Sequence, residues 1–575
     1  MTTALEISQN PQIQDAKSIK YTVITFAPVQ GFIEKSRKLR DLYGASQILS
    51  YLSWKIVCAA KNKGFEVISP VRDENDNSEI VSSDIVQGMP NRILIAGDFC
   101  YNDATNALME GWTEIVTACR EWLETQPELS KYFPSVDPKE GWEEWRLSWK
   151  RWRMNAWEIF RGGGEEIGEA MRDLETRKLR RGWTVPNWNG ESSSLSGHDA
   201  IAYPNMDQEI TKANKRNEAN ERGIVIDFYQ DLASALEKYS EQKKEPKFLD
   251  ASEKLSIPEL IKRLVTHQDV SLLVDQKANN NRVIKRGDPQ PVFRIDSFSE
   301  LIRKDDKSGE TYWTGWFMGD GDEVGKHLKK LSLLPNPNDA VTEFSTKLRA
   351  WELDFQDEFK QERRGRVVYA GGDDFLGVMY SDQKSIKLKG SDAIDWLIRL
   401  RENWRGEDKN SEQLGIKLSV GFVWAGHSVT QRDVLQHCRE AEKLAKNLGR
   451  DRVTIRVVFN NGQYVQWTTP WKYLAWLKDY RDRDGGTNWS HVYGDLAMLR
   501  ARHAIPPESA KNQDSAIALA LLDLYFTQNG VDDKLKKSNI LSSNQPEITG
   551  NSKDKDLIQW IENMINVGWQ LCSIT

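Results

Sequence analysis

The chain has 575 residues, 29% of them charged, and a formal net charge of −6. At about 150 residues per domain this length implies three or four domains, and the charge excludes a globally basic surface, so any nucleic-acid contact has to be local. Five cysteines (Cys58, Cys100, Cys119, Cys438, Cys572) contain no CxxC pair, which argues against a zinc knuckle or a disulfide framework and fits a reducing compartment. The polar start MTTALEISQNPQIQDAKS has no basic-then-apolar signal pattern, and no apolar run approaches the ~18 residues of a membrane span. A cytoplasmic protein with no membrane partner is expected.

In chain order, YTVITFAPV (21–29) reads as a strand and 30–64 as one long helix ending at Gly64. FEVISP and RILIAGDF (92–99) read as further strands, so 21–99 is a β-α-β-β unit. Residues 104–183 read as helical and hold most of the tryptophans, 184–222 as polar loop, 227–267 as helix and 275–291 as linker. The grammar then repeats. YWTGWFMGD (312–320) is a strand, DEVGKHLKKL a short helix, 339–362 a longer one, and VVYAGGDDFLGVMY (367–380) a β-hairpin. A helix (392–403), a strand (416–425), a helix (431–449) and a hairpin turning at Asn461-Gly462 follow, and the chain from 470 is helical with a polar loop near 528–554.

The fold class expected from this order is α+β, with two antiparallel palm-like sheets, each carrying helices on one face, plus helical insertions. The expected domains are a first palm core (1–103), a helical and loop-rich region (104–290), a second palm (291–469) and a C-terminal helical domain (470–575).

Adjacent aspartates at a hairpin tip repel each other unless a cation lies between them. Asp320 ends a predicted buried strand and can share a cation with the tip. Magnesium takes octahedral oxygen ligands, usually one or two carboxylates plus substrate phosphates, so Asp320, Asp373 and Asp374 form a candidate metal set. Gly371 and Gly372 would let a triphosphate approach the backbone closely. On its own, GGDD is more often only a turn. GDGDEVG is not a dinucleotide loop, since its glycine spacing is wrong, nor an EF-hand, since Val324 occupies a ligand position; DENDNSE (73–79) has Ser78 where a calcium loop needs glycine.

The order strand–Asp–helix–helix–GGDD hairpin, with REAEKLAKNLGRDRVTI (439–455) after it, resembles the palm of the GGDEF and adenylyl cyclase superfamily. TFAPVQGFIEKSRKLRDLYGASQILSYLS and DGDEVGKHL further resemble the two palm openings of the Cmr-type large subunit of type III CRISPR effector complexes, the Cas ten family. The resemblance implies two ferredoxin-like cyclase/polymerase palms. It also implies Mg²⁺ (or Mn²⁺) on the catalytic Asp320, Asp373 and Asp374, with the nucleotide at Gly321, Gly371 and Gly372. Lys446 falls on the motif lysine, a triphosphate contact, although a surface lysine on a helix is the plain alternative.

The implied activity is ATP-dependent synthesis of cyclic oligoadenylate in a type III-B complex with guide RNA, target RNA and other effector subunits. The alternatives are a stand-alone cyclase making a cyclic dinucleotide, and a catalytically silent scaffold. The first palm has Pro28-Val29-Gln30 at the strand-end position and only Asp98 near its hairpin, so it reads as a metal-free partner that seats a second nucleotide. Many members begin with a histidine-aspartate nuclease domain. Here the first histidine is His198, in a His198-Asp199 pair read as solvated loop, and no DNase activity is expected. The family's four-cysteine zinc module is missing, and the loop at 184–204 is expected in its place, held without metal.

GWEEWRLSWKRWRMNAWEIFRGGG (141–164) could stack on RNA, but Trp142, Trp145, Trp149, Trp152 and Trp157 recur near helical spacing, which favours core packing. Lys534, Lys536 and Lys537 read as solvated. With so small a counterion-release term, the isolated chain should bind RNA weakly. Fluorescence anisotropy checks this, and tight, salt-insensitive binding would move the tryptophan-arginine stretch from core to binding surface.

Overall fold

The protein is described from a computed structural model over residues 19–71, 88–133, 142–180, 191–204, 218–243, 248–278, 293, 301, 303–304, 308–362, 365–381, 387–406, 414–482, 485–505, 516–526, 548–550 and 557–572. The acidic loop at 73–79, most of the expected linker and polar C-terminal loop, and Lys534, Lys536 and Lys537 lie outside these residues.

The first unit is β1 (Tyr21–Ala27), α1 (Gln30–Glu34), α2 (Leu39–Asn62), β2 (Val67–Ser69), β3 (Ile93–Ala96), α3 (Tyr101–Thr125), α4 (Trp142–Asn155) and β4 (Glu158–Gly164). The sheet order is β2-β3-β1-β4, antiparallel throughout, which is the ferredoxin-like arrangement. β4 corrects the expectation that 104–183 is wholly helical. It pairs with all of β1, from Tyr21 opposite Gly164 to Ala27 opposite Glu158. Its three glycines hide a strand signal for a packing reason. α5 (Ile167–Leu179) crosses so closely that a Cβ at Gly162 would lie 2.3 Å from the Ala170 carbonyl oxygen and 2.4 Å from the Leu174 nitrogen.

Helices cover both faces of this sheet, not one. Ile24, Phe26, Ile93 and Ile95 pack with α2 and α3, while Val23, Leu94 and Phe160 pack with α5. The helical region, α6 (Glu218–Lys243), α7 (Ile257–Leu264) and α8 (Gln268–Ala278), shares the first of these cores. Trp145, Trp149 and Trp157 are buried in it, and the Trp145 indole N–H donates to Glu124 Oε1 at 3.1 Å. Among the described side chains the tryptophan stretch is therefore mainly core, with Trp152 partly buried.

The expected single helix over 30–64 is broken between α1 and α2. Lys262 of α7 enters the break and donates to the Phe32 carbonyl at 2.9 Å and to that of Lys35. Asp41 accepts the backbone N–H groups of Arg37 and Lys38 at 3.0 Å each, and Arg263 Nη2 donates to it at 2.9 Å. Burial would raise the Asp41 pKa, but the Arg263 guanidinium and these bonds outweigh it and hold the carboxyl at about 2. The loop at 191–204 is more than solvated surface. Asp199 is buried and paired with Lys35 at 2.9 Å, and Ser193 Oγ donates to Glu259; His198 stays exposed.

The second unit is β5 (Thr314–Asp322), α9 (Val324–Leu331), α10 (Pro337–Glu362), β6 (Gly365–Gly371), β7 (Asp374–Met379), α11 (Gly390–Arg405), β8 (Lys417–Ala425), α12 (Gln431–Asn447), β9 (Arg452–Val458) and β10 (Tyr464–Pro470). The sheet order is β10-β9-β8-β5-β7-β6, with only β8–β9 parallel. Its β8-β5-β7-β6 core repeats the first unit's β4-β1-β3-β2 order, so the duplication is explicit in the topology. α10 and α11 cover one face, and α12, with Leu39 and Leu42 of α2, covers the other. The last three helices, α13 (Ser490–Ala501), α14 (Ala516–Phe526) and α15 (Leu557–Cys572), join the α10–α11 core. No helix among the described residues is long and apolar enough to cross a membrane.

Removing one partner of a buried ion pair leaves the other charge uncompensated. Arg263→Met should therefore lower stability by about 3–5 kcal/mol, and Asp41→Asn in the same chain should recover part of it. Urea denaturation followed by circular dichroism measures both; an unchanged midpoint for Arg263→Met would show the pair carries no weight.

Candidate active site at the GGDD tip

The β5–β7 ladder is locked by two reciprocal aromatic–glycine pairs, Phe317 opposite Gly377 and Gly319 opposite Phe375. Each ring lies over the opposing glycine. A Cβ at Gly319 would sit 2.0 Å from the Phe375 ring, and one at Gly377 would sit 2.2 Å from the Phe317 ring. The next rung sets Asp320 directly opposite Asp374. Asp373 lies beside them, its carbonyl accepting the Gly321 N–H at 3.0 Å. All three candidate ligands thus meet at one point. Among the described residues no group of three or more His, Cys, Asp or Glu side chains forms a ready cage for a metal ion.

Three carboxylates this close perturb one another. Burial against the surrounding backbone, then the Asp320 charge, pushes Asp373 up to about 6, although Arg92 and Lys446 pull the other way. Asp374 is the most solvent-open of the tip, yet the protein crowded around it, its bond to Asp320 and the charge of Asp373 hold its carboxyl well above the usual range. Lys446, near the end of α12, lies 2.5 Å from both Asp320 Oδ2 and Glu442 Oε1. Burial works against its charge, but those two bonds outweigh it and keep the ammonium protonated above the ordinary lysine range.

The candidate glycines have roles in the fold. Gly372 has φ +70°, the left-handed region that favours glycine, and a Cβ at Gly371 would lie 2.5 Å from the Tyr369 hydroxyl. A Cβ at Gly321 would crowd Ile416 at 2.8 Å and Asp373 at 2.9 Å. A Cβ at Gly372 would only touch Pro90, at 3.4 Å, so there it is the left-handed backbone and not crowding that calls for glycine.

Several residues at the site carry no sequence signal. Asp322 is buried and accepts from Ser419 Oγ at 2.8 Å and the Asp451 N–H at 2.9 Å, pinning the left-handed Arg450-Asp451 turn. Glu352 of α10 is buried, accepts the Gly372 N–H through Oε1, and pairs with Arg349 at 3.0 Å. From the first unit, the end of the β2–β3 connection reaches the tip. A Cβ at Gly88 would lie 2.3 Å from the Ala370 carbonyl oxygen, and Arg92 is near enough to influence Asp373. Asp98, read as the first unit's hairpin acid, instead follows the far end of β3 and pairs with Arg161.

Residues 313–454 match the family model described as Cas10/Cmr2, second palm domain, and residues 21–117 match CRISPR-associated protein Cmr2, N-terminal. These two spans are Cas10/Cmr2-type domains. The span matched to the Cas10/Cmr2 second palm includes Asp320, the GGDD tip and Lys446. No curated protein matches the sequence. Among solved structures, the Type III-B Cmr-beta in the apo state is 11% identical, with 97% of this chain and 82% of that chain covered and a TM-score of 0.54. The Type III-B Cmr-beta bound to cognate target RNA is 11% identical, with 97% and 83% covered and a TM-score of 0.51. At that identity the likeness speaks for the fold alone.

Burial pushes the Glu352 carboxyl from 4.5 up to about 8, against the pull of Arg349 and the Gly372 N–H. A carboxyl whose pKa is raised on folding holds its proton more tightly in the native state, so its stabilising share is full below the unfolded value and is lost as pH rises toward the folded one. Glu352→Gln should therefore gain stability relative to wild type between about pH 5 and about pH 8. Thermal melts across that range test this; parallel curves would mean that Glu352 is ionised throughout.

Proposed function

We propose that this chain is the large subunit of a cytoplasmic type III-B RNA-guided effector complex, with a second palm that joins ATP into cyclic oligoadenylate when target RNA is bound. The observation that carries the reading is the convergence of Asp320, Asp373 and Asp374 beside Lys446 at the tip of a duplicated palm. In the reaction the 3′-hydroxyl of one ATP attacks the α-phosphate of another, forming the new phosphodiester and releasing pyrophosphate.

The donor set fits Mg²⁺ (or Mn²⁺): hard carboxylate oxygens, two of them facing across paired strands and mutually repelled, with the ion's remaining positions left to substrate phosphate oxygens and water. Asp320, Asp373 and Asp374 would hold it. When bound, such an ion favours deprotonation of the attacking hydroxyl and neutralises phosphate charge. Lys446 adds a fixed cation that can turn from Asp320 to the triphosphate. The backbone N–H groups around Gly371, Gly372 and Gly321 border the place where the phosphates would lie, and the metal-free first palm seats the second ATP against the Gly88–Arg92 edge.

The assembled complex, incubated with ATP and Mg²⁺ with and without target RNA, should yield oligoadenylate by mass spectrometry only with the target. Asp373→Ala/Asp374→Ala and Asp320→Ala should reduce product to background while assembly and melting persist. Near wild-type product from the double variant would make the aspartates turn residues. A cyclic dinucleotide formed without RNA would indicate a stand-alone cyclase, and no turnover by wild type would indicate a scaffold.

A further inference from the structure

We infer that Glu352 is the positioning residue of the GGDD tip and links its geometry to the first palm. The inference rests on reading the tip as the site of nucleotidyl transfer. Glu352 is 2% exposed, and its Oε1 accepts the N–H of Gly372, the left-handed residue immediately before Asp373. A turn at the end of a two-stranded ladder has few bonds of its own. Here the Gly371–Asp374 pair closes the ladder, and Glu352 supplies an acceptor from a different element.

The same helix face continues to the other palm. Ser345, Arg349, Glu352 and Gln356 form one stripe at successive turns of α10, beside the apolar stripe of Phe344, Leu348, Trp351 and Phe355. Ser345 Oγ lies 3.1 Å from Ser69 Oγ at the end of β2 of the first unit and accepts the Val71 N–H, two residues on, at 3.3 Å. Arg349 and Gln356 flank Gly88: a Cβ there would lie 2.8 Å from Arg349 Nη1 and 3.3 Å from Gln356 Nε2. The chain of contact runs from the first palm through Arg349 to Glu352, then to Gly372 and Asp373. A displacement of the first palm would change the direction in which the tip presents its carboxylates.

Two conservative variants separate this role from simple pairing with Arg349. Glu352→Gln keeps an acceptor for Gly372 and removes the ionisable carboxyl; Glu352→Asp keeps the carboxyl and withdraws the acceptor by one methylene. In the assembled complex with ATP, Mg²⁺ and target RNA, the Gln variant should keep kcat within about threefold of wild type. The Asp variant should lose tenfold or more in kcat, with KM for ATP little changed in both. The opposite order, or wild-type kcat in both, overturns the inference. Amide hydrogen exchange over residues 371–374 gives a readout independent of turnover: faster exchange in Glu352→Asp but not in Glu352→Gln supports it, and equal exchange in both overturns it. Should wild type itself make no product, the reading of the tip as a transferase site fails, and the exchange measurement alone decides the positioning role.

Discussion

The register of β5 against β7 is the constraint on which the site depends. Phe317 on Gly377 and Phe375 on Gly319 are interlocking pairs, and sliding the strands by one residue would drive each ring into a backbone that no longer offers a glycine. The slip would also exchange Trp316, which faces α12, for Phe317, which faces α10 and α11, on a sheet covered on both sides. Because that alternative is closed, the opposition of Asp320 and Asp374 follows from packing several ångströms away. The carboxylates are held together by aromatic burial in spite of their repulsion.

That repulsion gives the tip its chemistry. Asp373 and Asp374 are pushed toward protonation by their setting, while Lys446 and Arg92 offset part of the cost from opposite sides, one from α12 and one from the first palm. A cation placed among these carboxylates would offset that imbalance. Asp322, two residues from Asp320, is spent differently: its oxygens are taken by Ser419 and Asp451, so it shapes the neighbouring turn.

The duplication also places the two palms' connections against each other. Both palms use the same strand order, and the corresponding connection in the first palm reaches the second palm's tip with Gly88, Pro90 and Arg92 in its described part. The second palm contributes Asp320, Asp373 and Asp374, and the described part of the first palm's connection adds a glycine edge and a cation. The seam between them is lined by a polar stripe on α10, which gives hydrogen-bond specificity where an apolar contact would allow sliding.

Much of this was legible along the chain. The β5 strand ending near Asp320, the GGDD hairpin, the Asn461-Gly462 hairpin and the α12 helix with Lys446 are dictated by local periodicity and turn chemistry, and the structure has each of them. So is the grouping of Asp320 with the tip, because the order of elements places both at the same end of neighbouring strands. β4 was not legible, because its glycines are there for the approach of α5, and a strand scan reads glycine only as a weak strand former. Coverage of both sheet faces, the break at residues 35–38 and the role of Glu352 were hidden for a related reason. The spacing of Ser345, Arg349, Glu352 and Gln356 is the same whether that stripe meets water or another palm. Periodicity within one element determines which residues share a face; what that face meets is decided by contacts between residues distant in sequence, and only the tertiary structure holds those.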